Sequence, residues 1–79
     1  DPEAAARAFL SRYGQLFGLR DQAEELSVMR SQVDETNQSF VRFQQESGGV
    51  PILGGELIVQ MDADGNVLSA GGEIFPTWP

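Results

Sequence analysis

The side chains able to do chemistry in this chain are six serines, twelve carboxylates and the run Asp62-Ala63-Asp64-Gly65-Asn66. A serine nucleophile needs a neighbouring base, usually His or Lys. Ser11, Ser27, Ser31, Ser39, Ser47 and Ser69 have neither, because the chain contains no His, no Lys and no Cys. Paired carboxylates remain possible, but they need a cleft, and the expected fold is a helix on a sheet. The Asp62 run superficially resembles a calcium loop, but the EF-hand pattern places its Gly sixth, and here Gly65 is fourth. A hairpin turn accounts for the same residues. The glycine pairs 48–49, 54–55 and 71–72 open no helix, so turns and bulges explain them better than phosphate loops do. The residues therefore point to binding without catalysis, with no cofactor and no metal.

The elements that would carry a binding surface have to be built from 79 residues. A chain of this length buries only about 60% of its unfolded surface, so its core is marginal. Small domains usually add disulfides, metals or a partner. Without Cys or His the first two routes are closed, which leaves a partner or a neighbouring domain. The net charge is -7 and all five cations are Arg. Such a surface repels phosphates, which disfavours nucleic acid and anionic membranes as partners. No apolar run approaches the ~20 residues needed to span a bilayer. The chain begins at Asp1 without Met or a charged-then-apolar leader and reads as an excised piece, which leaves export open.

Asp1-Pro2-Glu3 is a helix start, with an acid at the N-cap, Pro at the first helical position and Glu near the positive end of the dipole. The spacing of Ala5, Ala8, Phe9, Tyr13, Leu16 and Phe17 predicts a helix over 2–17, ended by Gly18. Strands are expected at about 26–33, 39–46, 52–62 and 67–70, followed by a tail over 73–79. Between them lie a polar turn at 34–38, a Gly- and Pro-containing loop at 47–51 and a two-residue hairpin at Asp64-Gly65. Gly71-Gly72 is expected to end the fourth strand. The result is a single α+β domain over 1–79, one N-terminal helix packed on an antiparallel β-sheet of three to four strands in two layers. Phe9, Tyr13, Leu16 and Phe17 are expected to meet Val41, Phe43, Leu57, Val59 and Met61, with Leu53 on the same strand face.

Several short motifs follow one another in order. They are Tyr13-Gly14-Gln15-Leu16-Phe17-Gly18-Leu19, then Val41-Arg42-Phe43-Gln44-Gln45, Gly49-Val50-Pro51-Ile52, Gly54-Gly55-Glu56-Leu57-Ile58-Val59 and Asp64-Gly65. In that order and spacing they resemble the fungalysin/thermolysin propeptide (FTP) domain, over nearly the whole chain. The chain departs from the pattern at Phe40 and Gln60, where the family often carries His. The resemblance implies a pro-segment domain of a secreted zinc metallopeptidase, which assists folding of the enzyme and inhibits it by non-covalent binding. The implied partner is the metallopeptidase catalytic domain or an adjacent pro-segment domain, and the implied location is extracellular or in the cell envelope. The alternative is an FTP-like interaction module on an exported protein with no peptidase attached.

Strand parity identifies the candidate contact residues. Phe40, Arg42 and Ile58 should share the sheet face away from the helix, where a solvated face would normally be polar. With Ile74, Phe75 and Trp78 from the tail they would form an apolar patch on an acidic domain. Two arrangements remain open: a partner docks there, or the tail folds back and covers the face. Arg42 is expected opposite Glu56 in a cross-strand pair, and Gln44 and Gln45 as amides on the sheet surface.

Overall fold

The computed structural model describes residues 1–77. Its first element, α1 (Pro2–Tyr13), begins where the sequence signals it, with the Asp1 carboxylate accepting a hydrogen bond from the Glu3 N–H at 3.1 Å. The helix then tightens into a 3-10 turn over Gly14–Phe17, and Gly18 ends it in the left-handed conformation. That tightening changes the angular spacing of the side chains and shifts which of them face inward. Ala6 and Leu10 are buried, while Ala5, Phe9 and Phe17 pack against the margin of the core. Tyr13 and Leu16, expected inside, are 41% and 81% exposed. Tyr13 instead lies against Phe9, with ring centroids 5.1 Å apart and the ring planes tilted by 43°. Leu19 takes the interior place beyond the turn, against Gly14.

A single turn of helix, α2 (Gln22–Glu25), is capped by Asp21 and leads directly into β1 (Leu26–Val33). The remaining strands are β2 (Ser39–Ser47), β3 (Val50–Met61) and β4 (Val67–Glu73). They form an antiparallel meander in the order β1-β2-β3-β4. This is the α+β architecture expected from the sequence, with four strands. Along β2 burial alternates strictly, with Ser39, Val41, Phe43 and Gln45 inward and Phe40, Arg42, Gln44 and Glu46 outward. On β3 the inward residues are Gly55, Leu57, Val59 and Met61. Leu53 breaks the expected parity and is 98% exposed. The cause is a register shift between Gln44 and Glu46, across which the β3 partners jump from Glu56 to Pro51. The extra residues bulge out of the ladder and carry Leu53 into solvent.

The turn over 34–38 lies where it is expected, and the other two differ from the expectation. Gly48 and Gly49 both have positive φ, 57° and 82°, and make a tight two-residue hairpin, so pairing resumes at Ser47 and Val50 where a loop was expected. The Asp64-Gly65 signal instead lies within a five-residue turn over 62–66, in which Asp62 N–H donates to the Asn66 carbonyl at 2.9 Å. The turn over 34–38 repeats that design: Asp34 N–H donates to the Gln38 carbonyl at 2.8 Å. Asn37 and Gly65 occupy the equivalent left-handed positions, with φ of 62° and 84°. Gly71 and Gly72 do not end β4 but stand within it, opposite Ile58 and Leu57.

The core between helix and sheet comprises Ala6, Leu10, Leu19, Leu26, Val41, Phe43, Leu57, Val59 and Met61. Arg7 ties the layers together. Its guanidinium donates to the Gln22 side chain at 2.8 Å and to the Leu26 carbonyl at 3.1 Å, and lies 5.2 Å from the centroid of the Phe43 ring.

Candidate partner-binding surface

The two strands at the centre of the sheet determine what the face away from α1 presents. Phe40 pairs with Gln60 and Arg42 with Ile58, so the four side chains stand together on that face. With Arg30 of β1 they line an open depression of about 370 Å³. Ile58 is 39% exposed and Phe40 is half-buried. The structure thus brings Phe40, Arg42 and Ile58 together as parity required. Arg42 and Glu56 form a bidentate ion pair with a shortest contact of 2.8 Å. The expected direct opposition is corrected, however: Glu56 stands across from Gln44, and Arg42 reaches it diagonally. Such a partly exposed pair contributes about 0.2–1 kcal/mol.

Phe75 is not part of this group. Ile74 packs against the core on the helix side of the sheet. The Phe75 N–H donates to Gln45 Oε1 at 2.9 Å, and Gln45 Nε2 donates to the Phe75 carbonyl at 2.7 Å. Gln45 points inward and is 0% exposed, so the start of the tail is held on the inner side of the sheet. Along β2 it lies about 16 Å from Phe40, taking five residues at the usual strand rise. Through Phe75, therefore, the tail does not cover the outer face. Trp78 lies outside the described residues.

The two glutamines have distinct positions that their shared residue type concealed. Gln44, on the outer side, donates to the Ile52 and Gly55 carbonyls at 2.8 and 3.0 Å and so pins the bulge of β3. Gln45 is buried, contrary to the surface position expected for it, and its amide acts as one more peptide group for the tail. A side chain at position 55 would collide with it: a Cβ there would run into Gln45 Oε1. Nothing in the local pattern separates the two amides except strand parity, which places residue 45 with Val41 and Phe43.

Asp34 and Asp62 have their carboxyls held below the ordinary aspartate range. For Asp34 the largest cause is the hydrogen bond from the Thr36 hydroxyl, and for Asp62 it is the one from the Asn66 backbone. Each is closing its own turn. Counted from Asp62, Glu73 is the twelfth residue of the run, but it stands at the far end of β4 opposite Glu56. Among the described residues, no three His, Cys, Asp or Glu side chains converge as metal ligands. No helix among them is long and apolar enough to cross a membrane.

Comparison with known proteins decides the family. The Fungalysin/Thermolysin Propeptide Motif matches residues 24–74, more than half of the chain. The chain belongs to that propeptide family. The FTP domain is also 33% identical over 76 residues to thermolysins of Alicyclobacillus acidocaldarius subsp. acidocaldarius, Bacillus caldolyticus and Bacillus sp. (strain EA1). That alignment covers 95% of this chain and 14% of each thermolysin, so the FTP domain spans only about a seventh of those relatives. No solved structure matches it. The matched segment contains the whole sheet, including Gln44, Gln45 and the outer-face group.

Proposed function

We propose that this domain is a pro-segment module of a secreted zinc metallopeptidase, which assists folding of the catalytic domain and inhibits it by non-covalent binding. The observation that carries this reading is the propeptide-family match over 24–74, extended by similarity to thermolysins over 95% of the chain. The residues are consistent with a role in binding. The chain has no His, Cys or Lys to support catalysis, and among the described residues nothing covers the group of Phe40, Arg42 and Ile58 on its sheet. That face is the proposed docking surface for the catalytic domain or an adjacent pro-segment domain. Phe75 takes the different role of anchoring the chain to Gln45.

The test is addition in trans. The parent gene should encode a catalytic domain with an H-E-x-x-H motif. The purified 79-residue chain should speed refolding of that domain and slow its peptide hydrolysis, while hydrolysing nothing itself and retaining no zinc on metal analysis. A parent without a peptidase would overturn this reading in favour of a free-standing interaction module. A cognate peptidase that refolds and cleaves at the same rate with and without the domain would overturn it as well.

A further inference from the structure

Arg30 and Arg42 stand directly opposite each other in the β1–β2 ladder, on the same outer face as Phe40 and Ile58. Like charges so placed destabilise a sheet unless something neutralises them. Arg42 has Glu56. The exposed guanidinium of Arg30 has no hydrogen bond or ion pair among the described residues. The domain has twelve acids and five cations, yet among the described residues this cation is unpaired beside an apolar group that none of them covers. On the other flank, Gly71 is the residue opposite Ile58 and contributes no side chain to cover it. A Cβ at Gly71 would meet nothing within 4 Å, so packing does not force that opening.

We propose that this face recognises a protein segment that sets a carboxylate against Arg30 and an adjacent apolar side chain on Phe40 and Ile58. The proposal rests on the binding role argued above and adds the chemistry of the partner. Two other occupants fit less well. A second copy related by a two-fold axis would bring two more arginines against Arg30 and Arg42. A phosphate backbone would be repelled by the net charge of -7. A single carboxylate on a partner that is not itself strongly acidic meets neither objection. Charge complementarity at the contact then selects the partner more than it adds affinity.

The test has two arms. In the first, the 79-residue chain is titrated by NMR with Ac-Val-Phe-Asp-Val-NH2 and with the isosteric Ac-Val-Phe-Asn-Val-NH2. The Asp peptide should move the Arg30 Nε–H and Ile58 methyl signals, and the Asn peptide should move them at least threefold less. Equal movement, no movement, or concentration-dependent shifts before any peptide is added would overturn the proposal, the last pointing to a second copy. In the second arm, inhibition of the cognate peptidase should weaken about tenfold in Arg30→Glu, equivalent to roughly 1.4 kcal/mol, and Arg30→Lys should retain it. Because the chain has no lysine, Arg30→Lys also introduces a unique side-chain amine. Carbodiimide should couple it to a partner carboxylate, with Arg12→Lys on the helix as the negative control. A complex that forms without coupling at position 30, or inhibition unchanged in Arg30→Glu, would sink the proposed contact while leaving the pro-segment reading intact. Selective peptide shifts without any inhibition by the unaltered domain would do the reverse.

Discussion

Gln45 is a polar residue placed where the alternation of β2 demands an apolar one. It is tolerated because both ends of its amide are used, one accepting from Phe75 N–H and the other donating to Phe75 C=O. A buried amide so satisfied costs little, whereas its partners left alone would each lose a hydrogen bond. Gln45→Leu keeps the volume and removes both bonds, and should destabilise the domain by about 1–3 kcal/mol. The diagnostic result is faster hydrogen exchange at the Phe75 amide with the β2–β3 amides still protected. Exchange at Phe75 unchanged from the native chain would show that the amide does not hold the tail. Leu57 is the apolar counterpart, 1% exposed at the centre of the core. Leu57→Ala should cost about 2–5 kcal/mol in chemical denaturation, a large part of the stability of a small domain. A loss well under 1 kcal/mol would mean that the core closes around the missing atoms.

At the scale of elements, two of the three turns that join the meander share one design. In each, an aspartate accepts from main-chain N–H groups further along the turn: Asp34 from Thr36 and Gln38, Asp62 from Asp64 and Asn66. Both carboxyls titrate below their ordinary range, Asp34 chiefly through the Thr36 hydroxyl and Asp62 chiefly through the Asn66 N–H, because such bonds favour the charged form. A folded pKa below the unfolded one means the stabilisation is fully present above the ordinary aspartate range. It is lost as pH falls through the lowered folded values. Acidification through that window should loosen both turns before the sheet melts, read as shifts of the Thr36 and Asp64 amides. Asp34→Asn should remove the response in its own turn and leave the Asp62 turn unaffected. A single cooperative loss of all strands at one pH would contradict independent closing of the turns.

For the whole molecule, the organising fact is an asymmetry between the sheet faces. One face is covered by α1, the 3-10 turn and the start of the tail, and the other leaves Phe40, Arg42 and Ile58 uncovered among the described residues. With the tail held on the inner side as far as Phe75, substitutions on the outer face should separate binding from stability. Phe40→Ala and Ile58→Ser should each weaken inhibition of the cognate peptidase while shifting the thermal midpoint only slightly. Midpoints that drop together with inhibition would show that these side chains support the fold. Unchanged inhibition in both variants would remove this face from the contact.

The four strands, their order and the inward set Val41, Phe43, Leu57, Val59 and Met61 were legible in the sequence. Period-two alternation is a local property that survives any arrangement of neighbours. The same alternation placed Phe40, Arg42 and Ile58 on one face, and the ordered motifs pointed to the family. Leu16 leaves the expected helix face because the switch to a 3-10 turn at Gly14 rotates the side chains that follow it, whereas Tyr13 precedes the switch and lies against Phe9. The packing of Gly14 on Leu19 belongs to the folded chain. Leu53 was misplaced for a similar reason, since a bulge inverts parity and becomes visible only when the partner strand is in register. The position of the tail was beyond the sequence altogether. Residues 45 and 75 are far apart in the chain, and their contact depends on a buried amide whose need for partners arises only once the core has closed around it. Local spacing therefore determined which residues share a strand face, and tertiary closure decided which face the helix and the start of the tail cover.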